Sequence, residues 1–575
     1  MVTIRDRIPK GWILLGSTLT RRARRRLRIG SGHRWRYIGP TPERVLIAPP
    51  DLRVADRQMA SDFYHGRYSL AGQTVETGGV SPFLIEGAKL RWMQSLHSFR
   101  WLRHMRAAGT DLAAANARSL LGDWVRHSAR RIGGPAWEPQ IVARRIIAWL
   151  QHSTVLLQGA DYAFYRAFLK TLAVQIRYLR AMAPDMPADE ERLRARIALA
   201  LAALSLPVSP AALRNATRAL SQELEAQILP DGGHVSRNPA ALMELLLDLI
   251  PLRHTYSNQG QTPPQELIVA VERMLPALRA MRHRDGALAR FNGMGVTIHD
   301  RIAAILHHDD TGARPLNHAP YTGYHRLAVG DTVVIADVGA APPFEAARNA
   351  QAGCLSFEMS SGRHHFIVNS GMDPRGAEEF KILARATAAH STAVVGDGSS
   401  AATAVPQRLR HWYGSQIVQG PPDVVTKRSD MPGGQGFIAR HDGYVERFGL
   451  YHERELALSS NGDILDGCDR LFRPRRAQPP ADRRDDVTIR FHIHPDIGLF
   501  RNRDDLLVLK AADGETWTFE CEDVQAHVEE SIFFAALGGA LRSRQIVLAY
   551  RASDVPKIVW RFTRTGAGAR RGETR

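Results

Sequence analysis

The residues best suited by type and spacing to do chemistry lie in the run DGGHVSRNPAAL, which begins at Asp231. His234 can exchange a proton near neutral pH. It sits in a glycine-flanked loop between predicted helices, where a side chain readily faces a cleft. The alternative is a histidine that caps a helix or faces water. Arg237 can grip a carboxylate by a two-pronged contact, with Asn238 beside it; Asn238-Pro239 is equally a plain helix start. His390, in RATAAHSTAVV between a loop and a strand, reads either as a site residue or as a buried structural histidine. Arg145 and Trp149 are four residues apart on a predicted helix and so share a face. Either they line a groove together, or Trp149 is core and the stem of Arg145 runs along it. His97, Arg100 and Trp101 allow the same two accounts. His364 and His365 point to opposite faces of a strand and cannot chelate one metal together. His492 and His494 share a face but lack a third ligand nearby, so both pairs read as structural. The chain has no P-loop, no dinucleotide-binding glycine pattern and no Gly-x-Ser-x-Gly elbow.

The elements that must position these residues change character near residue 315. Before it, RWMQSLHSFRWLRHM, AWEPQIVARRIIAWL, AFYRAFLKTLAVQIRYLRAM and AALMELLLDLI repeat apolar residues at helical spacing. After it come short β-rich runs broken by turns: TVVIADVG, CLSFEMSSG, HHFIVNSG, STAVVGDG, VTIRFHIHP and KIVWRF. A helical half followed by a β half predicts two domains rather than one mixed sheet. Breaks such as IGGPAW, LPVSP and LPDGGHVSRNP separate at least eight predicted helices, which suit antiparallel pairs in an incomplete ring. The expected organisation is a basic arm over 1–61, a helical domain over 62–309, a linker over 310–320, antiparallel sheets over 321–565 and a disordered tail over 566–575.

At 575 residues the chain is long enough for two or three cores. Cys354, Cys468 and Cys521 are too few and too scattered for a disulfide framework or a cysteine zinc site. The formal charge is +18, part of it in an arm that crowds Arg21, Arg22, Arg24, Arg25, Arg26 and Arg28. Such a run reads either as a contact to an anionic surface or as a solvated basic segment. Nucleic-acid binding through the arm rests on charge alone and is not expected. The apolar stretch Trp12–Leu15 is far below the ~20 residues a membrane span needs, and most basic residues follow it rather than precede it. Neither a transmembrane helix nor a cleavable signal is expected.

The order of LHSFRWL, WEPQIVARRIIAWL, ILPDGGHVSRNP, GCLSFEMSSGRHHFIVNSG, RATAAHSTAVV and HDGYVERFGLYHERELAL resembles the heparinase II/III family of polysaccharide lyases, from about Phe63 to Phe562. The resemblance implies an N-terminal (α/α) toroid of helix pairs followed by a C-terminal antiparallel β-sandwich. It also implies β-elimination on a uronic-acid-containing polysaccharide. That chemistry needs the uronate charge neutralised, a base to take the C5 proton, and an acid for the leaving oxygen.

Carried over residue by residue, the resemblance is mixed. Where relatives have the neutraliser, this chain has Glu190 and Glu191, which would repel a carboxylate; where they have a tyrosine base, it has Ala241. Tyr324 is the reserve candidate for that base, its other role being to pack the first strand. The positions of a structural metal fall on Gln351, Asn369 and His390, and a catalytic histidine would fall near Asn349. Two of the three ligand positions are amides, so no metal and no cofactor are expected. The first expectation is a lyase acting through His234, Asn238, Tyr324 and His390, with Arg145, Trp149, Arg237, Asn349 and Gln351 binding an acidic polysaccharide. The second is a non-catalytic polysaccharide-binding or envelope-assembly protein on the same fold. The resemblance points to the cell envelope or periplasm; without an export signal the cytoplasm stays open.

Overall fold

The computed structural model describes residues 34–373, 376–403, 417–431, 433–473, 482 and 484–566. The arginine run at 21–28 and the tail beyond 566 lie outside these residues. By its internal packing the chain divides into two units. One comprises Met1–Gln227 with Leu245–Val271, the other Ile228–Glu244 with Glu272–Arg575.

The first unit is built of helices whose starts are marked in the sequence. Thr110 caps Asp111–His127 by accepting from the Ala113 amide, and Asp161 caps Tyr162–Met182 through Phe164. Asp189 caps Glu190–Ser205 through the amides of Glu191 and Arg192. Pro139–Gln151 packs on Glu190–Ser205, which packs in turn on Pro210–Gln227. An aromatic cluster forms the centre. Trp124 and Trp149 meet edge to face at 5.5 Å, and Phe99 meets both the same way. A hairpin, Arg67–Leu70 with Gln73–Glu76, interrupts what periodicity reads as helical. Its turn, Ala71-Gly72, takes positive φ at both residues, and Tyr68 and Leu70 alternate inward.

The second unit is dominated by two antiparallel sheets. One has the strand order Ala526–Phe533, Leu541–Arg551, Asp486–Ile493, His364–Val368, Phe357–Ser361, Thr332–Asp337, Tyr324–Val329, His318–Ala319, with Ala393–Val395 added onto Asp486–Ile493. The other runs Val424–Met431, Gly434–Tyr444, Leu450–Ser459, Ile464–Phe472, Lys557–Gly566, Thr516–Cys521, Leu507–Lys510, Gly498–Arg501. Alternate residues of both fill one core, in which Phe357 stacks on Trp560 at 5.7 Å and Phe491 meets Trp560 and Phe562 edge to face. One polar group is embedded there. Asp469 accepts from Arg454 (2.8 and 3.0 Å), His452 (2.7 Å) and the Trp560 indole (2.9 Å). Burial alone would raise its pKa; Arg454 and His452 outweigh that and hold it well below the carboxylate range. Among the described residues no helix is long and apolar enough to cross a membrane.

Candidate functional site

The loop that carries His234 is a tight structure within the second unit. Gly232 has φ +81° and a Cβ there would lie 1.9 Å from the Arg273 carbonyl oxygen; at Gly233 it would lie 1.9 Å from Thr322 Oγ1. The two glycines therefore let the loop press onto neighbouring backbone. Asp231 fixes the approach by accepting from the amides of Tyr321 (2.8 Å) and Thr322 (2.7 Å) and from the Thr322 hydroxyl (2.5 Å). His234 is 1% exposed, with Nδ1 2.7 Å from Ser236 Oγ. The expectation that it faces a cleft is corrected: the close-packed loop turns it inward.

Arg237 is corrected likewise from substrate clamp to internal brace. It holds a left-handed backbone, φ +58°. Its guanidinium donates to the carbonyls of Thr322 (2.6 Å), Gly323 (3.0 Å), Gly339 (3.1 Å) and Ala340 (2.8 Å), and to the Asp337 carboxylate. Burial alone would lower its pKa, but Asp337 outweighs it and keeps the guanidinium charged. The Asn238 side chain accepts from the Ala240 amide at 2.8 Å, the cap of the helix Pro239–Asn258. The Tyr324 hydroxyl donates to the Arg237 carbonyl (2.6 Å) and accepts from Asn292 Nδ2 (2.8 Å). Burial raises its pKa, so the phenolate that a base would need is disfavoured.

Asn292 links this network to Gln351, one of the two amide positions. Its Oδ1 accepts from the Gln351 amide at 3.3 Å, and Gln351 Oε1 accepts from Gly293 N at 3.0 Å. The other end of Gln351, Nε2, donates to the Ala384 carbonyl at 2.7 Å. Asn349 is half-buried over Gly293, where a Cβ would come 2.4 Å from its own. His390 lies under Gly353 and is fully buried, its Nδ1 donating to the Ala386 carbonyl at 2.9 Å. Burial lowers its pKa to about 4, so the ring is neutral at pH 7. Its Nε2, like Asn369 Nδ2, has no hydrogen-bond partner. The structure thus joins Arg237, Tyr324, Gln351 and Asn349 through Asn292, Gly293 and Asp337. The cavity beside His234, Arg237 and Tyr324 is about 30 Å³ and lined largely by apolar groups such as Leu242, Met281 and Ile335. That is room for a water, not for a sugar ring, since ligand pockets run to roughly 300 Å³ and more.

Arg145 and Trp149, in the first unit, are corrected to core residues, both 0% exposed. Arg145 donates to Gln175 Oε1 (2.6 Å) and to the carbonyls of His97 (2.8 Å) and Ala136 (2.9 Å), and lies 4.2 Å over the Trp124 ring. Its neighbour Arg144 lies at a small cleft, which Arg53, Arg100, Arg103, Arg194 and Asp248 also line. Glu191, read from sequence as repelling an anion, pairs with Arg144 and Arg194. Asp51 takes Arg103 (3.2 Å), and Asp248 takes Arg53 (2.7 Å) and Arg194 (3.0 Å). Glu191, Asp51 and Asp248 thus pair with Arg144, Arg194, Arg103 and Arg53, and the space between these groups is about 10 Å³, too small for a sugar ring. Periodicity missed this cluster because Arg145 and Gln151 of Pro139–Gln151 are buried along with the apolar residues, so polarity alone does not tell which residues face outward.

The chain matches the family described as Heparinase II/III-like, C-terminal, over residues 311–561. It is 33% identical over 552 residues to FtsZ-localized protein C of Caulobacter vibrioides, with 93% of each chain covered. The chain belongs to the heparinase II/III family. Among solved structures, heparinase III aligns with a TM-score of 0.68 at 13% identity, covering 92% of this chain and 88% of that one. A mutant of heparan sulfate lyase HepC from Pedobacter heparinus aligns at 0.60 and 14%, covering 93% and 88%. These likenesses carry the fold: an (α/α) toroid followed by an antiparallel β-sandwich.

Proposed function

We propose that the chain is a diverged, non-catalytic member of the lyase superfamily that binds an acidic polysaccharide and serves envelope assembly at the site of cell division. The observation that carries the reading is the commitment of the would-be catalytic groups. Tyr324 gives its proton to a backbone carbonyl, Gln351 uses both ends of its amide, and His234 is buried. A proton relay must reach its substrate to within about 3 Å, directly or through one water. A polyanion as ligand is supported by the formal charge of +18 and by the basic surface to which Arg144 contributes. The place of action is supported by the near full-length relative, which is named for localisation with FtsZ. A fluorescent fusion imaged together with FtsZ tests that part. Coincident midcell bands are expected, and a fusion spread evenly through the cell would refute it.

A second reading, residual elimination chemistry, is favoured by one observation: the neutral, unpartnered Nε2 of His390 is an available acceptor. If it serves as a base, His390→Ala abolishes release of unsaturated uronate ends while the fold persists.

A further inference from the structure

Outside the network around Arg237, the second unit gathers three buried side chains of metal-binding type from two separate segments. His283 stands just after the helix Gln265–Ala280; Glu358 and His365 stand on the paired strands Phe357–Ser361 and His364–Val368. One ligand atom from each lies within 4.8 Å of the other two, and all three residues are buried. The strand period places Glu358 and Ser360 on one face, and both reach the same imidazole. His283 Nε2 is 3.2 Å from Glu358 Oε2, and its Nδ1 is 2.8 Å from Ser360 Oγ. The register shifts between Met359 and Ser360, a bulge that re-aims the side chains beside it.

The outer contacts are those a metal-bound imidazole needs. His365 Nε2 donates to Asp285 Oδ2 at 3.0 Å, which leaves Nδ1 as the lone-pair nitrogen on the other side of the ring. The Ser360 hydroxyl does the same for His283, and the Asn369 amide donates to Glu358 Oε1 at 2.9 Å, leaving Oε2 for the centre. Arg290 NH1 approaches that centre, 3.4 Å from both Glu358 Oε2 and His365 Nδ1. At that length these are weak bonds. The guanidinium also lies 5.1 Å over the Phe533 ring, a contact it keeps without those bonds.

We propose that His283 Nε2, Glu358 Oε2 and His365 Nδ1 form a site for one divalent cation of the zinc class, with Asp285 and Ser360 orienting the two imidazoles. Two imidazoles and one carboxylate suit zinc better than calcium or magnesium, which take oxygen ligands. Water completes a four-coordinate shell, and Arg290, already over the Phe533 ring, gives up its two long contacts as the ion enters. The site is distinct from the one at Gln351, Asn369 and His390, where amides replace two of the ligands.

The test uses the full chain, stripped with chelator and titrated with zinc chloride by calorimetry, with a melt run at each ratio. One zinc per chain and a raised Tm are expected. His365→Ala and Glu358→Gln should weaken binding about a hundredfold or more, and Asp285→Asn about ten- to a hundredfold. If those variants fail to fold, anomalous diffraction at the zinc edge from wild-type crystals decides, a peak among the three residues being required. Absence of saturable binding by the folded wild type overturns the proposal, as does binding unchanged in Glu358→Gln. Binding that appears only in Arg290→Met also overturns it, because Arg290 would then be the resident cation.

Discussion

Arg237 shows what a single charged residue does here. Its guanidinium serves four carbonyls and one carboxylate, so its removal leaves Asp337 buried without its cation. Arg237→Ala should therefore cost about 3–5 kcal/mol of stability, read from denaturant unfolding. A loss below 1 kcal/mol would mean that the brace is not structural. The loop and the helix start at Asn238-Pro239 were legible in the sequence, because glycine, asparagine and proline are local signals. Asp337 was not, since it arrives from a strand a hundred residues later. His234 was legible as a titratable group, but its burial depends on Gly233 pressing against Thr322, a contact that no spacing rule contains. His283 and Glu358 were missed for the same reason: each has an ordinary neighbourhood in sequence, and only the packing of the segment after Gln265–Ala280 onto the bulged strand pair joins them.

At the scale of an element, the helix Pro139–Gln151 places two adjacent arginines in opposite environments. Arg145 is buried among Trp124, Gln175 and two carbonyls, and burial lowers its pKa to about 9. Arg144 is half-buried at the cleft, paired with Glu191. Arg144→Ala should weaken binding of an acidic polysaccharide severalfold, more at low salt than at high, without changing Tm by more than a degree or two. Arg145→Ala should instead unfold the helical unit at a markedly lower temperature. Equal effects of the two on affinity, at equal Tm, would remove this basic surface from the account. The helix itself was legible from its 3.6-residue repeat and its Glu138-Pro139 start. Which arginine faced outward was not, because apolar residues surround both.

For the whole molecule, acid stability follows from histidines buried as neutral rings. Burial lowers His97 to about 3, His390 to about 4 and His492 to about 3, against an ordinary value of 6.5. Between those values and 6.5 the unfolded chain binds more protons than the folded one, so stability is full above pH 6.5 and falls as pH drops toward 4. Each ring contributes on the order of 1–3 kcal/mol across that window. Tm measured from pH 7.5 to 4 should therefore begin to fall near pH 6.5, before ordinary carboxylates titrate; a flat Tm down to pH 5 would show these rings open to solvent. The two-part architecture was legible because the hydrophobic period itself changes from 3.6 to 2 along the chain. The chemistry was not, since it depends on where each group's hydrogen bonds go. The central claim is that this lyase frame does not catalyse elimination. Incubating the purified chain with a panel of uronate polysaccharides, and following ultraviolet absorbance from unsaturated uronate ends, tests it most directly. The expected result is binding to at least one polymer with no rise in absorbance, whereas a rise abolished by His390→Ala or His234→Ala would contradict it.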